Sequence, residues 1–353
     1  RSPWLCKARH GLQGRSSGIQ PEACSSYAMF PTTMDRELEV KHVDGKLVAM
    51  QSKHVDDVKI GGEPPVVKHV ITSLETVFGK LSYSEHKFTN CGVRQTRHSN
   101  GDIELDQDEY IAALIPVVHA EMTGAPAEQE CSSELTTVFW SLLGAVAYSL
   151  MTQHWIAVYI VALQRMTHCP KIIHVRRLNA VTRALQKNPA HIMRKAMKCD
   201  KTLEIHSDSG FSKEQEKGYG IRGANHSRRG TSLHTGEVIW HLLESICRSH
   251  KNVTRSTFSS ETLAAVAAAD EAMPLLLTLH EVQHGPVDTR QSRRLLEEGG
   301  LLFHAILSVD AMSLFAAVAA HNIKIPAEKN LAAHLFWLKQ LTNRGIISQL
   351  HWV

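Results

Sequence analysis

Apolar and polar positions alternate in period along this chain, and the changes of period mark its elements. Short apolar runs at Leu47–Met50 and Val58–Ile60 flank His54-Val55-Asp56-Asp57 and are followed by Gly61-Gly62. That pattern predicts a β-hairpin with an acidic turn. Val66 to Leu81 has Val70, Leu74 and Val77 on one face and predicts a helix. Ile103-Glu104-Leu105 predicts a short strand, and Tyr110 to Val118 the start of a helix. Leu135 to Leu163 is the most apolar stretch, interrupted by Thr152-Gln153-His154, and predicts a buried helical pair. Its cleanest run, Val138 to Met151, is shorter than the roughly 20 residues of a membrane span.

Arg165 to Lys201 changes character, with ten Lys and Arg and one acid, Asp200. Val175, Leu178, Val181 and Leu185 share one helical face, while Arg176, Arg177, Arg183 and Lys187 lie elsewhere on the same helix. This is either a solvated face or a surface that tracks phosphates. Beyond residue 201 strands and helices alternate. Strands are predicted at Leu203–Ser207, Gly218–Gly223, Leu302–Val309 and Ile346–Val353, with Val238–Ile246 ambiguous. Helices are predicted at Ser260–Val282, Ala311–Ala320 and Ala327–Arg344, the last stopped by Gly345. Residues 1–30 show no periodicity and read as loop, with 1–20 a remnant. The domain boundary is placed near Lys198 to Thr202.

Composition narrows the class. The 353 residues, 43% hydrophobic and 21% charged, suit about two domains with sizeable cores. A net charge of +4 excludes a histone-like polycation but leaves room for a local basic face. Seven scattered cysteines without a C-x-x-C pair argue against a disulfide framework or a cysteine-rich zinc site, and for a reducing compartment. Sequons at Asn225 and Asn252 lack a secretory leader and read as coincidence. The chain opens on Arg1 and ends in an apolar run at Val353, which reads as a piece of a longer protein.

Two motifs fail on inspection. Gly218-Tyr219-Gly220-Ile221-Arg222-Gly223 fits G-x-G-x-x-G, but the residues before it are charged and loop-like, so a nicotinamide site is set aside. Asp102, Glu104, Asp106 and Asp108 resemble a calcium loop, but Gln107 and Ala113 stand where Gly and Glu are required.

Two sets of carboxylates remain. Asp56 and Asp57 at a hairpin turn suit divalent-metal binding in nucleotidyl transfer. Asp208 at a strand end, Glu261 near the start of a long helix and Asp310 at another strand end can converge on metal ions. Such ions activate a water and stabilise the leaving 3′ oxygen in phosphodiester cleavage. As a first-turn acid, Glu261 would also be favoured by the helix dipole.

The surroundings of both sets resemble copia-type retrotransposon Pol polyproteins over roughly residues 21–353. His54 to Gly62 resembles the family's Y-V-D-D hairpin, with His54 in place of Tyr. Phe78-Gly79-Lys80-Leu81, Gly101 to Gln107 and Ser141 to Tyr148 follow in the family's order, resembling F-x-x-x-x-L-G, G-x-I-x-L-x-Q and S-L-V-G-S-L-x-Y. His206-Ser207-Asp208-Ser209-Gly210-Phe211 resembles Y-S-D-A-D-W, and Ser259-Ser260-Glu261-Thr262 the S-S-T-E segment. Asp310-Ala311-Met312-Ser313 sits where D-N-Q-S sits, and Lys324–Asn330 where R-T-K-H-I-D precedes a helix.

The resemblance implies an α+β or α/β chain. It would comprise part of a reverse transcriptase over 21–200, with a palm hairpin and helical connection, and a ribonuclease H-like mixed sheet with flanking helices over 201–353. It implies an RNA-directed DNA polymerase and ribonuclease H, with Mg²⁺ or Mn²⁺ held by Asp208, Glu261 and Asp310 and by Asp56 and Asp57. It also implies an RNA/DNA hybrid gripped by Arg176, Arg177, Arg183 and Lys187. The family's upstream palm carboxylate and its fourth ribonuclease H carboxylate have no counterpart here, so the polymerase site is expected to be incomplete. The implied partners are nucleic acid and the other parts of the Pol polyprotein, fingers and integrase, with no membrane. The implied setting is the cytoplasm, within virus-like particles, extending to the nucleus. The alternative is an inactive nucleic-acid-binding remnant.

Overall fold

The computed structural model describes residues 2–8, 29–55, 57–210, 220–251 and 253–353. The chain is mixed α+β, and its described residues form three sheets and a helical layer.

The first sheet contains β1 (Ser2–Ala8), β2 (Phe30–Pro31), β3 (Leu38–Val43), β4 (Lys46–His54), β5 (Asp57–Gly62) and, after helix α1 (Pro64–Phe78), β6 (Leu81–Glu85). Its order is β2-β3-β4-β5-β1-β6 and its pairings are antiparallel. The predicted hairpin is β4–β5. Val58 and Ile60 alternate inward from it and meet Val67, Val70 and Leu74 of α1. Ser2–Ala8 corrects the reading of residues 1–20 as loop. Both its edges pair with strands fifty or more residues away, a long-range stabilisation that local periodicity does not register.

The second layer begins with β7 (Lys87–Asn90), β8 (Val93–Arg97) and β9 (Ile103–Asp106), which β10 (Ile192–Arg194) joins from far along the chain. Helix α2 covers only Asp108–Ala112, so the helix expected over Tyr110–Val118 is short. The backbone of Val117 instead pairs with the buried Asn179 amide through both its N–H and its C=O. Three helices follow, α3 (Ser133–Tyr148), α4 (Ala157–Gln164) and α5 (Ile172–Lys187). Phe139 of α3, Ile160 of α4 and Leu178 of α5 are fully buried in one cluster. The break between α3 and α4 is held by buried Gln153, which accepts from Ala190 N at 2.8 Å and donates to Ala190 O at 2.8 Å.

The third unit is a five-stranded sheet, β11 (Met197–Gly210), β12 (Ile221–Ser232), β13 (Val238–Ser249), β14 (His304–Val309) and β15 (Ile347–Trp352). Its order is β13-β12-β11-β14-β15; the first three strands are antiparallel, and β14 and β15 run parallel to β11. Four helices accompany it: α6 (Thr257–His284), α7 (Thr289–Glu298), α8 (Met312–Ala319) and α9 (Leu331–Asn343). The alanine-rich face of α6 lies on Leu203, Ile205, Ala305 and Leu307, where small side chains allow close helix–sheet approach. The ambiguous segment at Val238 is strand, paired along β12 with a single register shift. Gly218 and Tyr219 lie outside the described residues; β12 starts at Ile221. Sheet membership changes between Arg194 and Met197, so the boundary expected at Lys198–Thr202 falls inside β11.

Ser133–Met151 and Thr257–His284 have the length and apolarity of a membrane span. The first exceeds the run that the sequence alone suggested, because polar residues at its start are also helical. Both contribute buried faces to the cores just described.

Candidate metal centre

Asp208, Glu261 and Asp310 converge. One carboxylate oxygen from each lies within 4.8 Å of the others, and no other group of three or more His, Cys, Asp or Glu does so among the described residues. Two come from neighbouring parallel strands: Ser207 of β11 pairs with Val309 of β14, and each acid follows directly. Parallel strands in register deliver equivalent positions to the same end of a sheet. Along β11, Leu203, Ile205, Ser207 and Ser209 are buried, whereas Asp208 is exposed. Asp310 lies one residue past β14, and Trp352 donates its indole N–H to the Asp310 carbonyl at 2.9 Å. That bond ties the carrying loop to β15.

Glu261 comes from α6. Ser256 caps this helix, accepting from Ser259 N at 3.1 Å, so the helix begins at Thr257. The expectation of a first-turn glutamate is therefore corrected: Glu261 sits beyond the first turn and is 3% exposed. Burial comes first among the influences on it, then the nearby Asp310 and Asp208 carboxylates. Together these push the Glu261 carboxyl up to about 8, against a smaller opposing pull from the Ser209 backbone N–H. Three carboxylates this close repel one another when ionised, and a cation or a proton relieves the repulsion. An all-carboxylate oxygen set without thiol or imidazole suits a hard divalent cation. The triad could hold a metal ion.

A buried polar cluster backs the site. The Ser209 hydroxyl lies 2.7 Å from His250 Nε2 and against the Ser260 hydroxyl, which is itself 3.1 Å from His250 Nε2. Ser209 and Ser260 are the chain neighbours of Asp208 and Glu261. Burial, then Arg222, holds the His250 imidazole below its ordinary pKa. Gly220 closes the cluster: a Cβ there would collide with the Gly210 carbonyl and come within 3.1 Å of the His250 ring. The serines adjoin predicted ligands and could have been suspected; His250 and Trp352 carry no local signal.

Among the described residues, the other expected site residues do not join this group. Asp57 opens β5, opposite His54, while Asp56 lies outside the described residues. Of the basic residues on α5, Arg176 donates to the carbonyls of Met122 and Ala125 at 3.3 and 2.9 Å. That makes it a tether for the preceding loop. Arg183 and Lys187 are exposed, and Arg177 lines a cavity. In the calcium-like segment, Asp102 accepts from Ala196 N at 2.7 Å and Asp106 pairs with Arg94 at 2.9 Å, so these acids are structural.

No protein-family model matches the chain, and no curated protein matches it.

Proposed function

We propose that the chain is a metal-dependent phosphodiester hydrolase of ribonuclease H type, acting on an RNA/DNA hybrid, in a copia-type Pol context. The observation that carries this reading is the convergence of Asp208, Glu261 and Asp310. The mixed five-stranded sheet under one long helix, and the order of the motifs around each acid, support it.

In this reading Asp208 and Asp310 supply exposed oxygens and Glu261 a buried one to Mg²⁺ or Mn²⁺. The bound ions would supply Lewis acidity toward the phosphate and a more acidic water. Glu261, whose pKa is raised to about 8, would have to be deprotonated to serve as a ligand to such a cation. The Ser209–Ser260–His250 cluster fixes the backbone beside two of the three ligands and keeps their spacing. The hairpin at Asp57 is read as structural in this chain, with no polymerase step assigned to it.

The test is incubation of a labelled RNA/DNA hybrid with the purified chain in Mg²⁺ and in Mn²⁺. Metal-dependent cleavage that disappears in Glu261→Gln is expected. Equal cleavage by the variant contradicts the reading. Salt-sensitive hybrid binding without cleavage would select the inactive nucleic-acid-binding alternative.

A further inference from the structure

A cavity of about 1010 Å³ lies between α4, α5 and the residues that follow β13. One wall is aromatic. Trp155 is 45% exposed and Tyr159 53% exposed. The Trp155 indole N–H donates to Gln153 Oε1 at 3.2 Å, and that buried amide is itself fixed to the Ala190 backbone. The indole plane is thus held in place while much of the ring stays open. Another wall is cationic: Arg177 of α5 and Lys251 both line the cavity and are exposed. No Asp or Glu lines it among the described residues. Glu128 feels the charge of Arg177, but its carboxylate is held by Lys171 Nζ at 2.9 Å.

The position of the cavity matters as much as its lining. His250 forms part of its wall, and the same ring contacts Ser209 and Ser260, the neighbours of two metal-site carboxylates. The groove therefore runs up to the back of the candidate metal centre.

We propose that this groove holds an unpaired stretch of a nucleic-acid strand, its bases on Trp155 and Tyr159 and its phosphates on Arg177 and Lys251. The proposal rests on the hydrolase reading for its substrate and adds a preference for strands with a single-stranded portion. Aromatic platforms need open base faces, which a paired duplex has already committed to its own stack. Cations on the opposite wall suit a backbone that follows the same groove. The walls come from two separate units, so a seated strand would bridge the helical layer and the five-stranded sheet.

The test uses the whole chain carrying Glu261→Gln, in chelator, so that neither cleavage nor metal enters. Fluorescence anisotropy follows a labelled single strand of about ten nucleotides and a blunt RNA/DNA hybrid. The single strand is expected to bind, and Trp155→Ala to weaken it about tenfold, the worth of one base stacked on an aromatic ring. Arg177→Ala and Lys251→Ala should each reduce the salt slope by about 0.7, one phosphate contact on a single strand. Trp155→Phe retains a stacking face and should keep most of the affinity, which separates lost stacking from lost folding. Unchanged single-strand binding in Trp155→Phe, Arg177→Ala and Lys251→Ala together, with no loss in a folded Trp155→Ala, overturns the proposal. So does an equal loss for the blunt hybrid. Metal-dependent hybrid cleavage by groove variants with unaltered single-strand binding overturns the groove alone. Groove binding in a chain that never cleaves overturns the hydrolase reading alone.

Discussion

Asp208 and Asp310 stand one residue beyond the same rung of a parallel ladder, that of Ser207 and Val309. Their proximity is a consequence of strand register, and Glu261 completes the group from the helix laid across the sheet. Register gives the pair its rigidity. A one-residue slip of β14 would exchange the two faces of a strand buried on both sides and carry Asp310 away from Asp208.

Metal affinity should therefore depend on pH through Glu261. Its carboxyl is raised to about 8 without metal, chiefly by burial. Cation binding must displace that proton, so affinity should rise with pH up to about 8 and then level off. Titration calorimetry in buffers of different ionisation enthalpy should show about one proton released per site below that pH. Affinity independent of pH across the range would contradict it.

The same group makes the metal-free protein pH-sensitive in a defined direction. A carboxyl whose folded pKa is raised favours the folded state fully below its unfolded value of 4.5. That contribution is lost as pH rises through about 8. Glu261→Gln, neutral at every pH, should match the wild type in melting temperature at pH 4 and exceed it increasingly toward pH 9, in chelator. Scanning calorimetry reads the difference, and a constant offset would show that Glu261 is not perturbed.

Gly220 should tolerate no side chain. Gly220→Ala places a methyl against the Gly210 carbonyl and the His250 ring. Overpacking of this kind costs about 1–3 kcal/mol. Urea denaturation should show that loss, whereas Gly144→Ala, on a helix with open space beside it, should be neutral or stabilising.

Glu281 ties the first sheet to the third unit. Its carboxylate is fully buried and accepts from Thr33 N at 2.9 Å, Thr33 Oγ1 at 2.7 Å and Val287 N at 3.1 Å. Glu281→Ala strands these donors, at a cost of about 1–3 kcal/mol for a buried group left unsatisfied. Limited proteolysis should then cut near Thr33 earlier than in wild type. Unchanged cleavage kinetics would mean that the tie contributes nothing.

Most strands and helices could be read from periodicity, because each buries one face on a nearby partner. Val58 and Ile60 alternate, Val175, Leu178 and Leu185 recur at helical spacing, and both patterns became buried faces. What escaped was non-local. Ser2–Ala8 is a strand because of distant neighbours. The helix begun near Tyr110 ends at Ala112, four residues before Pro116, which cannot continue it, and the distant Asn179 then takes up the Val117 backbone. The three acids were readable as candidates, although Asp208 lies within β11 rather than at its end and Glu261 beyond the first turn of α6. The polar cluster behind them was not, since His250 joins through a contact that no spacing announces. The basic helix misled in part: Arg176 carries charge but serves two carbonyls.

Manganese binding followed by electron paramagnetic resonance tests the central claim most directly, since it reads the triad without requiring turnover. The account predicts saturable binding that weakens severely in Asp310→Asn and in Asp208→Asn while both variants keep the wild-type circular dichroism. Binding of equal strength in wild type and both folded variants would contradict a metal centre built on Asp208, Glu261 and Asp310.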